Sequence, residues 1–148
     1  MDNTSKNNFI INISGYQQSF IETDKDNVEM TTTGDYDYED GLYYIDYDET
    51  EISGMEGTHT SIEIGSDYVS LQRGGSMNTD MLFMEGRKTH SMYHTPFGEL
   101  LVGIYTSKLD IQPFDKCCTL YIEYDIEIND KPNGRNSIEI NVLEAKQK

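Results

Sequence analysis

Tryptophan is missing from this 148-residue chain, cysteine occurs only twice, and basic side chains are scarce. Lys and Arg number 11 against 27 Asp and Glu, giving a formal net charge of −16 at pH 7 and a sequence pI near 4.3. Nucleic-acid binding draws its affinity from Lys and Arg that displace counterions from phosphates, so this balance argues against that partner and against anionic membrane surfaces. The acids read as solvated strand faces that keep the protein soluble and discourage edge-to-edge pairing. Cys117 and Cys118 are sequence neighbours. A disulfide between them would be strained, and on a strand their side chains point to opposite faces, so two reduced thiols are expected. No apolar run approaches the ~20 residues needed to span a bilayer. The opening MDNTSKNNFIINIS lacks a basic stretch followed by a long apolar core and a cleavage site, so a cytoplasmic protein is expected.

Aromatic surface is what the chain does have. Eleven Tyr and five Phe accompany an apolar fraction of only 36%, a composition that suits a folded β-rich protein rather than a disordered acidic one. The length fits one domain spanning 1–148, with 1–7 and 144–148 as flexible polar tails.

Alternation of period two recurs throughout, and helical periodicity is hard to find. Over residues 118–128, Cys118, Leu120, Ile122, Tyr124, Ile126 and Ile128 take one face and polar residues the other. That pattern belongs to an antiparallel strand with one buried side. A turn is expected over 129–135, with Pro132 and Asn133-Gly134 supplying its backbone angles, before a returning strand places Ile138, Ile140 and Val142 inward. Further strands read at 9–18, 58–64, 68–73, 79–85, 87–94 and 99–111, joined by short turns, including a hairpin about Glu85-Gly86. Roughly nine strands with such spacing predict an all-β, antiparallel up-and-down meander of about eight to ten strands that closes into a barrel or sandwich.

Residues 31–51, TTTGDYDYEDGLYYIDYDETE, admit two readings. As a calcium loop the register fails: counted from Asp35, the required glycine position holds Asp40 and position twelve holds Asp46. As a hairpin the segment is coherent, because Asp40-Gly41 is a strong two-residue turn and Tyr43, Ile45 and Tyr47 share a face. Parity then carries Glu49 inward, and it likewise puts Arg73 on the face of Val69 and Leu71. A buried carboxylate or guanidinium is costly unless paired, so Glu49 and Arg73 are expected to form an ion pair or polar anchor at the inner wall or mouth.

The order of Thr33-Gly34, Tyr43, Tyr47, Glu49, Thr60, Arg73, Gly75, Phe83, Gly86, Tyr93, Thr95-x-Phe97-Gly98-x-Leu100 and Thr106 resembles the YwiB-like family of small bacterial proteins. The resemblance runs from about Thr32 to Ile128 and implies a calycin-like, lipocalin-like barrel. It brings no assigned active site, and the chain lacks the Gly-x-Trp signature of true lipocalins. Ligand binding is therefore implied only at the level of fold.

Other chemistry-bearing residues read as structural. His90 and His94 lie on one strand about 13 Å apart, too far to chelate one ion, so no metal site is expected from them or from His59. Cys118 falls on an apolar face and Cys117 near a turn; neither has the setting of a nucleophile. Arg73-Gly74-Gly75-Ser76 precedes no helix, so it reads as a strand end rather than a phosphate loop. Met77, Met81, Met84 and Met92 read as barrel filling. The expected function is binding of a small amphiphilic or weakly anionic ligand by Arg73, Glu49, Tyr43, Tyr47 and Tyr93, without a cofactor. The alternatives are a non-enzymatic interaction or structural barrel with a filled core, one form of which is a homodimer, and an enzyme of unknown reaction.

Overall fold

The structure, a computed structural model, describes residues 9–19, 25–50, 56–75, 78–95, 98–114 and 116–145. Ten strands account for most of them: β1 (Phe9–Ser19), β2 (Lys25–Glu39), β3 (Leu42–Asp48), β4 (Thr58–Ile64), β5 (Val69–Gly75), β6 (Thr79–Phe83), β7 (Lys88–Thr95), β8 (Gly98–Pro113), β9 (Cys117–Ile128) and β10 (Lys131–Glu144). They form one antiparallel sheet in the order β6-β5-β4-β3-β2-β1-β10-β9-β8-β7. The first and last strands lie side by side, Phe9 opposite Glu144 and Ser19 opposite Gly134, and the sheet curls into a nearly closed barrel. Glu144, expected to open the C-terminal tail, still belongs to β10; residues 146–148 and the N-terminal tail, 1–7, lie outside the described residues, as do Ser76, Met77, Pro96 and Phe97.

Alternation builds the core. Cys118, Leu120, Ile122 and Tyr124 are buried on β9, Ile140 and Val142 on β10, and Ile11 on β1. The acidic hairpin forms as its parity requires: Glu39 pairs with Leu42, and Asp40 and Gly41 both take positive φ, 55° and 86°. On β8 a bulge between Thr106 and Lys108 shifts the register, so the inward set changes from Val102, Ile104 and Thr106 to Leu109 and Ile111. At Gly34 the neighbours of β2 leave no room for a side chain, because a Cβ there would sit 2.2 Å from the Asp46 carbonyl oxygen.

Three expectations need correction. The turn between β9 and β10 is the pair Asn129-Asp130, both in the left-handed region at φ 52° and 67°, and the Pro132–Gly134 segment is instead a register shift within β10. Asn and Asp tolerate that conformation, so the shorter hairpin wins. Met92 is 49% exposed and fills nothing, whereas Met81 is buried. The Glu85-Gly86 turn exists, but β6 and β7 form no ladder among the described residues. The turn's backbone groups are taken by β8: the Gly86 N–H donates to the Thr106 carbonyl at 2.7 Å and the Thr106 N–H to the Arg87 carbonyl at 3.2 Å. The Leu109 N–H adds a bond to Glu85 Oε1 at 2.8 Å, and Thr89 Oγ1 donates to the Leu82 carbonyl at 2.6 Å. The seam is thus stitched beside the turn, while its other end carries Thr79 and Tyr93.

Candidate functional site

That other end of the seam is polar inside. Glu49 follows β3, and its N–H donates to the Thr58 carbonyl at 2.8 Å, which holds it at the inward parity of Ile45 and Tyr47. Its side chain is 2% exposed. Thr60, fully buried on β4, donates from Oγ1 to Glu49 Oε2 at 2.5 Å. Arg73, opposite Thr60 in the ladder, sets Nε 3.7 Å from the same Oε2, with 17% of its side chain exposed. The pair attracts electrostatically, but that distance is too long for a hydrogen bond.

Three tyrosines border the pair. Tyr47 is buried beside Glu49, and its phenol is pushed well above the ordinary range, first by burial and then by the Glu49 carboxylate, with Arg73 opposing. Tyr93 is raised by burial, with the Arg73 guanidinium and the Thr79 hydroxyl acting against it. Tyr124 on β9, its ring 4.9 Å from that of Phe83, is pushed up to about 12 by burial, again against Arg73. Arg73 is therefore the charge that all three phenols feel. All three remain protonated donors at neutral pH.

Hydrogen-bonding capacity is left over here. The buried atoms Arg73 Nε, Ser91 Oγ and Thr106 Oγ1 have no hydrogen-bond partner, and Thr79 Oγ1 misses the geometry of one although it lies near enough to the Tyr93 phenol to act on it. They stand on four consecutive strands, β5 to β8, flanking the seam. Thr79 is the ladder partner of Arg73, and Ser91 shares the inward parity of Tyr93.

Of the five residues singled out from sequence, the structure brings Arg73, Glu49, Tyr47 and Tyr93 to one end of the barrel. Tyr43 is elsewhere. It stacks on Tyr36 at 5.8 Å with rings 13° from parallel and packs on Tyr38 at 4.6 Å, close to the Asp40-Gly41 turn. Two inward steps along β3 separate it from Tyr47, a distance of about 13 Å at the rise of a strand. Thr79, Ser91 and Tyr124 escaped notice as site residues. Alternation already places Tyr124 inside, and parity with Phe83 and Tyr93 would have put Thr79 and Ser91 there too, but nothing in the sequence marks an inward hydroxyl as one that approaches the Arg73 end.

The middle of the barrel is solid. Ile11, Ile45, Ile64, Phe83, Leu120 and Val142 are 0% exposed, so none of them borders a void that admits water. Cys118 lies in this region, its thiol pushed up to about 11 chiefly by burial, which suits an inert buried sulfur.

On the outer face of the same strands sits a second cluster. His59 places Nδ1 2.9 Å from Asp48 Oδ1 and Nε2 3.2 Å from Asp46 Oδ1, and Ser61 Oγ donates to that Asp46 oxygen at 2.6 Å. Both ring nitrogens face carboxylates, and only the doubly protonated imidazolium can donate from both. The His59 pKa is raised accordingly, first by the Asp48 hydrogen bond.

Comparison with known proteins agrees with this architecture. The crystal structure of the ywiB protein from Bacillus subtilis superposes with a TM-score of 0.77 over 97% of both chains, at 18% identity, a likeness of fold. The uncharacterized beta-barrel protein YwiB of Bacillus subtilis (strain 168) is 25% identical over 130 residues, 86% of this chain and 90% of that protein. Residues 11–140 match the family described as a domain of unknown function (DUF1934), and the chain is a member of that YwiB-like β-barrel family.

Proposed function

We propose that this protein binds a small amphiphilic or weakly anionic ligand at the Arg73 end of the barrel. The carrying observation is the leftover hydrogen-bonding capacity there. Arg73 Nε and Ser91 Oγ are buried and have no hydrogen-bond partner. Folded proteins rarely leave such atoms idle, since each forfeits its hydration without return. Tyr47 and Tyr93 offer a wall that is apolar along the ring and polar at the tip. The site lies at the mouth, because the fully buried middle leaves no space for a guest. The reading includes a cytoplasmic location, supported by the free thiols of Cys117 and Cys118.

Native mass spectrometry of freshly purified protein tests it. A discrete mass adduct in the wild type, reduced in Arg73→Lys, is the expected result. An unliganded mass together with no thermal shift across a metabolite panel would overturn the proposal.

A second reading, a structural or interaction barrel with a filled core, draws on the same packed middle and on exposed Tyr38 and Phe114, 63% and 58% accessible. It predicts self-association or capture of a protein partner, and no small-molecule adduct.

A further inference from the structure

We infer that the barrel opens sideways along one line, the β6–β7 seam, pivoting on the turn from Met84 to Arg87. This opening is a property of the fold and depends on no ligand. Nine backbone ladders join the ten strands, and β6 against β7 is the one interface without a ladder among the described residues. A single hydrogen bond among those residues crosses from one strand to the other, Thr89 Oγ1 donating to the Leu82 carbonyl at 2.6 Å. That carbonyl therefore turns toward β7. Backbone direction alternates along a strand, so the Leu82 N–H and both backbone groups of Asp80 turn the same way, where no ladder meets them. Farther from the turn, the Tyr93 phenol lies near Thr79 Oγ1 without the geometry of a hydrogen bond.

The two halves of the seam are held unequally. At the turn, the Thr106 carbonyl accepts from the Gly86 N–H at 2.7 Å and the Thr106 N–H donates to the Arg87 carbonyl at 3.2 Å. The Leu109 N–H reaches Glu85 Oε1 at 2.8 Å, and the Arg87 N–H closes the turn on the Met84 carbonyl at 3.0 Å. Phe83, fully buried with its ring 4.9 Å from that of Tyr124, anchors the β6 side. Beyond it, Met81 on β6 faces the inward Ser91 and Tyr93 of β7 with side-chain packing in place of a ladder. Losing the Thr89 bond changes an opening equilibrium only about two- to tenfold. Parting any other pair of strands breaks a whole ladder. Sub-global opening follows the line with fewest backbone bonds, so the seam parts first and its turn holds.

The test reads thiol exposure in the full chain carrying Cys117→Ser, which removes the less buried of the two native thiols. Met81→Cys and Ser91→Cys, made separately, place a thiol under each flank, where Met81 is 5% exposed and Ser91 Oγ is buried. Ser91→Cys exchanges oxygen for sulfur alone, so it carries the test if Met81→Cys does not fold. Methyl methanethiosulfonate, small and uncharged, labels the protein across a urea series below the global transition, which circular dichroism follows. Each introduced thiol is expected to react at least about tenfold faster than global unfolding allows, with a urea slope well below the global one. Cys118, 2% exposed on β9 with a ladder on either side, should react only with the global slope. Thr89→Val should speed the introduced thiols by about two- to tenfold. Glu85→Ala removes a bond that survives the opening, so it should lower the global urea midpoint and leave those rates unchanged. Introduced thiols that react only with the global slope would overturn the inference. Cys118 reacting as they do would overturn it too, because the opening would then not be confined to the seam. Acceleration by Glu85→Ala would take the pivot away from the turn and overturn the hinge.

Discussion

One residue along β3 and β4 separates two carboxylate clusters that share their strands and little else. On the inside, Glu49 is held by the Thr60 hydroxyl and faced by Arg73, with almost no exposure. On the outside, Asp46 and Asp48 grip His59, whose side chain is 50% exposed. The composition of the two clusters is similar: acid, hydroxyl, cation. Burial makes them different objects. Inside, each charge depends on the other to be tolerable at all; outside, water stands ready to replace either partner. A functional site can be built from the first kind, because its groups are fixed and partly unsatisfied. The second kind tunes little beyond local stability.

Breaking the inner cluster should therefore cost most. Arg73→Met strands the Glu49 carboxylate in the barrel and should lower unfolding free energy by about 3–5 kcal/mol in denaturant titrations. Adding Glu49→Leu to it should recover much of that loss, since the apolar pair leaves no orphan charge. A double variant as unstable as the single one would show that shape, not charge, governs the end. Thr60→Val comes next. It keeps the volume and removes the hydroxyl that donates to Glu49, so a loss of about 1.5–3 kcal/mol is expected, the scale of a hydrogen bond to a charged group. The matching outer change, Ser61→Ala, removes a 2.6 Å bond to Asp46 and should cost far less, because water replaces it.

Tyr43 tests whether the inside of the barrel is uniform. It sits on the same inward face of β3 as Tyr47 but spends its ring on Tyr36 and Tyr38. Tyr43→Leu should cost about 1 kcal/mol, the size of lost ring–ring contacts. It should leave the mass adduct expected at the Arg73 end unchanged. A parallel loss of binding would join the two ends into one site and erase the distinction drawn from their separation.

How much of this was legible in the sequence follows from what parity can carry. Period two put Tyr47, Glu49 and Arg73 inside without any structure, and the Asp40-Gly41 turn fixed the register that made the parity count. The same rule grouped Tyr43 with them, because alternation reports the face of a strand and not the height along it. The seam was not legible. Nothing in residues 79–94 says that β6 and β7 decline to pair, since the cause lies on β8, where Thr106 takes the turn's backbone bonds. Thr79 and Ser91 become noteworthy only through that long-range choice. The Asn129-Asp130 turn was a local misjudgement of a different sort: Asn133-Gly134 is the stronger turn signal by residue type, yet two consecutive left-handed residues closed the shorter loop first.

The smallest effect belongs to His59, and its value lies in its sign. Its pKa is raised above 6.5, mainly by the Asp48 hydrogen bond, with Asp46 helping and partial burial opposing. Asp46 and Asp48 on β3 face it from one side, while its ladder partner on the other is Gly74 of β5, which offers no charge. A raised folded pKa means that the native state holds the proton more tightly than the unfolded chain. The clip's contribution is then fully present below the unfolded value near 6.5 and fades as pH climbs through the higher folded value. Half-exposure and solvent screening limit it to under about 1 kcal/mol. The stability difference between wild type and His59→Gln, measured by urea denaturation, should be positive at pH 5.5 and vanish by pH 9. Moderate salt should shrink it, whereas the Arg73→Met penalty should hardly respond, because buried charges are poorly screened. Equal salt sensitivity in the two would mean that water reaches Glu49 and Arg73 as freely as it reaches His59, and the inner cluster would lose the isolation that sets it apart from the outer one.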